Sequence, residues 1–198
     1  RPTEQQPVGG SILAVHFKLH GGDGVSLQSQ LLHKAIEETH GDVHECCADL
    51  PPGAKGLSVP ELSYQSQSAK QLYKDIYLHP EARKEEDVVT TLKAQSEIIR
   101  RAVVKYINKH NIRTIHVHNI FSLPYNPAAT LALYELARDR DDVQIIAQHH
   151  DLIFEGRQGI FPTPIFPEVA RLMDEAIIPK LPNIQHATIN SIARDYLR

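Results

Sequence analysis

The chain has 198 residues, 41% of them hydrophobic and 23% charged, with a formal net charge of -3 at pH 7, enough apolar surface for one large core. A pI near 6.5 argues against a nucleic-acid protein with a basic face, and no apolar run approaches the roughly 18–20 residues of a membrane helix. The two cysteines are the adjacent pair Cys46 and Cys47, which is no disulfide framework and suits buried, inert thiols in a reducing, cytoplasmic setting.

Residues 1–10 are polar and show no secretory pattern. Residues 11–19 (SILAVHFKL) read as a first strand and residues 20–24 (HGGDG) as a glycine-rich turn. Leu27, Leu31, Leu32, Ala35 and Ile36 then recur at helical spacing, and Gly41 is placed to end that helix. Residues 42–48 read as a second strand with the cysteine pair near its end. The stretch 50–68 contains Pro51, Pro52, Gly53, Gly56 and Pro60 and reads as mostly loop, followed by a short helix over 69–78. The longest helix is expected over 86–111, with Ile98, Ile99, Ala102, Val103, Tyr106 and Ile107 as its apolar stripe. Residues 113–118 (RTIHVH) are a strand. Asn126 and Pro127 form a good helix start, since Asn caps and Pro suits the first helical position, and that helix runs to about 138. A strand over 143–148, a long Pro- and Gly-containing loop over 155–167, a helix over 168–178, a strand over 185–189 and a helix from 191 complete the order. The alternation predicts an α/β, Rossmann-like three-layer sandwich with a mostly parallel sheet. Residues 1–198 read as one domain, a half-module of a larger protein.

In an open parallel sheet, ligands bind outside the carboxyl ends of the strands. The expected exits carry His20 to Gly24, then His118 and Asn119, then His149, His150 and Asp151, then Asn190 and Ser191. Glycines allow close backbone approach, and the following helix would turn its positive end to a phosphate. Asp23 opposes an anion there, and the third glycine of the dinucleotide fingerprint is missing; a plain turn is the alternative. His116 and His118 share one strand face, and with His149 and His150 they raise the question of zinc. No third ligand is identifiable, so no metal is expected, and His116 is assigned to the core. His33, His40, His44, His79 and His110 are expected to face solvent, and His16 to pack in its strand. His150 and Asp151 suit hydrogen bonding to a hydroxyl or proton movement, with a capping carboxylate as the alternative. Arg157, in the long loop, can meet an anionic substrate or simply lie on the surface.

These segments, in this order, resemble a known family. SILAVHFKLHGGDGVSLQSQLL looks like the first strand, glycine loop and helix of the N-terminal domain of GT-B glycosyltransferases, in the retaining, glycogen-synthase-like and sucrose-phosphate-synthase-like branch. TIHVHNIFSLPYNPAATLAL, VQIIAQHHDLIFE and ATINSIARDYL resemble three further strand-to-helix segments of that domain, and the likeness spans nearly the whole chain. The resemblance implies two Rossmann-like domains with the active site between them, of which this chain is the acceptor-side one. The missing C-terminal domain of the same protein would hold the donor, and this piece alone would be inactive. The implied reaction moves a sugar from a nucleoside-diphosphate donor to a hydroxyl acceptor with retention, and needs no cofactor beyond the donor substrate. By the same resemblance, Gly21, Gly22 and Gly24 belong to the donor-binding turn. His150 contacts the transferred sugar and Asp151 orients its turn. His118, Asn119 and Arg157 line the acceptor side. Where the family often has a basic residue soon after the glycines, this chain has Asp23 and Ser26. A nucleotide-sugar epimerase of the same fold, or a non-catalytic ligand-binding domain, are the competing readings.

Overall fold

The computed structural model describes residues 10–78, 83–152 and 163–197. Six parallel strands form a single sheet: β1 (Ile12–Val15), β2 (Val43–Cys47), β3 (Gly56–Ser58), β4 (Thr114–His118), β5 (Gln144–His149) and β6 (Ile184–Thr188), in the spatial order β3-β2-β1-β4-β5-β6. The connecting helices are α1 (Gly24–Thr39), α2 (Gln67–Tyr73), α3 (Glu85–Lys109), α4 (Pro127–Asp139), α5 (Pro167–Ala176) and α6 (Ser191–Tyr196). This is the Rossmann-like three-layer arrangement, with every strand pair parallel. Among the described residues, no helix is long and apolar enough to cross a membrane.

Alternation along the strands decides the layers. Leu13, Val15, Ile115, Val117, Ile145 and Ala147 join the main core with Ile99, Val103 and Ile107 of α3, Leu131 and Leu133 of α4 and Val169 of α5. The opposite face is thinner: Ala14, Val43 and Cys47 pack with Ile36 of α1. Both thiols are buried, and burial pushes each of them above the ordinary cysteine range.

Three local features differ from expectation. The stretch read as loop contains β3, where Gly56 lies so close to the backbone of Glu45 that a Cβ would overlap it. A one-turn π-helix over Lys74–Leu78 extends α2. On α1 the buried residues are Ser26, Ser29 and His33, while Leu27 is 53% and Leu31 73% exposed. The apolar stripe expected of that helix is therefore only partly its inner face, and the sheet meets a largely polar one.

Candidate functional site at the strand exits

The strand order reverses between β1 and β4: the connections from β1 lead outward through β2 and β3, those from β4 through β5 and β6. Such a switch point opens a crevice at the carboxyl ends of the two central strands. His16 leaves β1 there, His118 ends β4, and His150 follows β5. Two glutamine- and serine-bearing positions of α1 lie over them. His118 Nδ1 is 3.1 Å from His150 Nε2 and 3.4 Å from Ser29 Oγ, and His150 Nδ1 is 3.1 Å from Gln28 Oε1. An amide oxygen only accepts, so His150 carries its proton on Nδ1. Its Nε2 then accepts from the Nδ1–H of His118. His16 donates from Nδ1 to the His118 carbonyl at 2.8 Å.

Asn119 sets β4 against β5. It adopts a positive φ of 58°, a conformation that asparagine tolerates better than most residues. Its Oδ1 accepts from the backbone N–H of His150 at 2.7 Å and of Asp151 at 3.3 Å, while its Nδ2 donates to Asp151 Oδ2 at 3.4 Å. His118 and Asn119 are thus buried supports, and Asp151 and Gln28 form the exposed rim around His150.

Burial dominates the electrostatics. It lowers His16 to about 4, drives His118 further down with the help of the neighbouring histidines, and lowers His150 against the opposing pull of Asp151. The rim therefore presents neutral, oriented imidazoles at pH 7. The glycine turn is different in character. Asp23 caps α1, accepting from the backbone N–H of Ser26 at 2.9 Å and from its hydroxyl at 3.1 Å. The backbone hydrogen bond holds its carboxyl below the usual range, so the positive end of α1 already carries an anion. A Cβ on Gly21 would come within 3.0 Å of Lys18 Nζ, whereas Gly22 and Gly24 face open space. The basic residue of this turn therefore precedes the glycines.

A second histidine layer lies under the rim. His116 Nε2 is 3.0 Å from Gln148 Oε1, and burial lowers this imidazole to about 4. His33 is buried on α1, 3.5 Å from Glu45 Oε1, and His20 reaches Glu45 Oε2 at 2.6 Å. The solvent-facing expectation thus fails for His33, which lies on the inner face of α1. It fails also for His44, which points inward from β2 and contacts the Tyr106 hydroxyl at 2.8 Å through Nδ1. It holds for His40 and His110, while His79 and Arg157 lie outside the described residues. Sequence reading missed Gln28, Ser29, His33, Lys18 and Gln148. The available signal was the i, i+3, i+7 spacing of Ser26, Ser29 and His33, a polar stripe on one helix face. Nearby, Tyr64, Tyr73, Tyr125, Lys70 and Lys74 line a cavity of about 210 Å³, and Phe17, just beyond β1, packs its ring 5.5 Å from that of Tyr64.

The doubly wound sheet and the histidine-bearing rim at its switch point define a Rossmann-like α/β domain with a polar crevice. No family model and no solved structure matches the chain. It is similar to the mannosylglucosylglycerate synthase of Petrotoga mobilis, with 26% identity over 184 residues, covering 93% of this chain and 41% of that protein. It is also similar to the mannosylglucosylglycerate synthase of Thermotoga maritima, with 24% identity over 188 residues, 94% of this chain and 42% of that protein. The chain thus spans about two fifths of the length of the curated relatives it matches.

Proposed function

We propose that this chain is the acceptor-side domain of a two-domain GT-B glycosyltransferase. In this reading a sugar passes from a nucleoside-diphosphate donor to a hydroxyl acceptor with retention of configuration, in the cleft between this domain and a donor-binding one. The observation that carries the proposal is the convergence of His16, His118 and His150 at the switch point, in a chain whose homologues are glycosyltransferases. Exposed Leu27 and Leu31 beside Gln28 suit a face that a second lobe covers.

In the mechanism, a hydroxyl of the transferred sugar displaces exposed Gln28 and accepts from His150 Nδ1–H, and Asp151 holds the turn that presents this imidazole. Until then Gln28 fixes the His150 tautomer. His118 and Asn119 shape the acceptor side from below, through His150 and the 150–151 backbone, and Arg157, outside the described residues, is a further candidate acceptor contact. The backbone at Gly21, Gly22 and Gly24 approaches the donor diphosphate, with Lys18 as the nearby cation and Asp23 as a restraint on how closely phosphate packs against α1. The tyrosine-lined cavity offers a sugar ring apolar faces, and Lys70 and Lys74 suit an acceptor that carries a carboxylate. Catalysis then rests on oriented dipoles rather than on a protein nucleophile.

The test is incubation of the full-length protein with nucleoside-diphosphate sugars and hydroxyl acceptors, including sugar acids. The expected result is acceptor-dependent release of nucleoside diphosphate and a glycoside that keeps the donor's anomeric configuration. An isomerised donor formed without acceptor, or binding with no turnover, would refute the proposal.

A further inference from the structure

Three histidines under the rim leave a nitrogen without a partner. His33 comes from α1, His116 and His118 from alternate positions of β4, and all three are at least nine-tenths buried. One ring nitrogen of each lies within 4.8 Å of the others. His116 Nδ1, His118 Nε2 and His33 Nε2 are buried with no partner, and His33 Nδ1 has only a 3.5 Å ion-pair contact to Glu45 Oε1. Such a concentration is unusual, because buried polar atoms are nearly always satisfied.

The outer partners determine what those nitrogens carry. Gln148 Oε1 accepts from His116 Nε2–H, so its Nδ1 bears a lone pair. His118 gives its Nδ1–H to His150, so its Nε2 bears a lone pair. Glu45, 3.5 Å away, draws the proton of His33 to Nδ1, leaving a lone pair on Nε2. One trapped water has two protons to donate and leaves the third lone pair unmet. Protonating a ring would instead bury a charge. A cation meets all three at once. The outer contact to a carboxylate and the outer hydrogen bonds to an amide oxygen and a second imidazole are the kind of support that orients metal-ligating histidines. Ala14 lies between Glu45 and His116 in the sheet register, so the strand position between them carries only a methyl group. A cavity of about 260 Å³ lined by His33, Glu45, Gln30 and Lys55, among others, reaches this layer from outside.

We infer that His33, His116 and His118 bind one divalent first-row transition-metal ion, with zinc as the cation their all-imidazole set suits best. The absence of a directly placed carboxylate disfavours magnesium and calcium. Zn–N bonds of about 2.0–2.1 Å require the rings to draw in by roughly an ångström, and the fourth position falls to water. The third ligand that sequence reading lacked is His33. A bound ion would also lock the His118 tautomer that donates to His150.

The test uses full-length protein stripped with a chelator and titrated with Zn²⁺ against a chromophoric competitor, and with Co²⁺ while recording visible absorption. The expected result is a site with cobalt d–d bands, whose zinc affinity falls at least about 100-fold in His33→Gln and in His116→Gln and about tenfold in Glu45→Gln, but stays within threefold in His110→Ala. Should His116→Gln not fold, His33→Gln on the helix decides alone. Absence of zinc binding by the folded wild type, or affinity left within threefold by His33→Gln, would overturn the inference. Neither readout depends on sugar transfer.

Discussion

His149 shows how a single proton couples to folding. Its Nε2 is 2.8 Å from His186 Nδ1, and His186 Nε2 is 2.9 Å from the Pro179 carbonyl. The carbonyl can only accept, so the order of donors is set: His149 Nε2–H donates to His186 Nδ1, and His186 Nε2–H to Pro179. His149 Nδ1 then stays bare and buried. Burial first, and the nearby His186 and His150 next, lower this imidazole from 6.5 to about 3. The folded value lies below the unfolded one. The stability that neutral His149 contributes is therefore fully present above pH 6.5 and is lost as pH falls toward 3, with a slope of at most about 1.4 kcal/mol per pH unit. In His149→Phe the acid decline of the urea midpoint between pH 6.5 and 4 should be shallower. An unchanged decline would contradict the assignment.

At the scale of elements, the helix that matters most for the site is the one whose inner face was misread. Leucines at 27, 31 and 32 dominated the α1 pattern, yet the sheet face below α1 carries Glu45, His116 and His118, which call for polar neighbours. Ser29 and His33 therefore turn inward and Leu31 outward. In the domain without a covering lobe, Leu31→Ala should change stability by less than about 0.5 kcal/mol, since surface changes usually do, whereas a leucine buried under α1 would cost about 2–5 kcal/mol. Chemical denaturation separates the two. Other elements were legible because their signals are local. Asn126 accepts from Ala129 N with Pro127 following, as capping chemistry requires, and the buried Ile99, Val103 and Ile107 carry the periodicity of α3. In the same stripe Ile98 is half exposed. β3 was not legible, because a three-residue edge strand that includes Gly56 looks like the turns around it, and only its pairing with β2 defines it.

For the whole molecule, the order of alternating elements carried the fold class, and the rule that parallel sheets bind at their carboxyl edge carried the position of His118, Asn119, His150 and Asp151. What linear reading could not supply was depth: whether a histidine at an exit faces solvent or lies one layer down depends on α1 closing over it. The proposal that this crevice transfers sugars is tested most directly by single-turnover transfer in the full-length protein, comparing wild type, His150→Ala and His110→Ala, each verified as folded. His110 lies at the end of α3, away from the strand exits. His150→Ala should lose roughly 100-fold or more, as removal of an oriented transition-state donor does, while His110→Ala should stay within threefold. Transfer by His150→Ala at the wild-type rate would contradict the proposal.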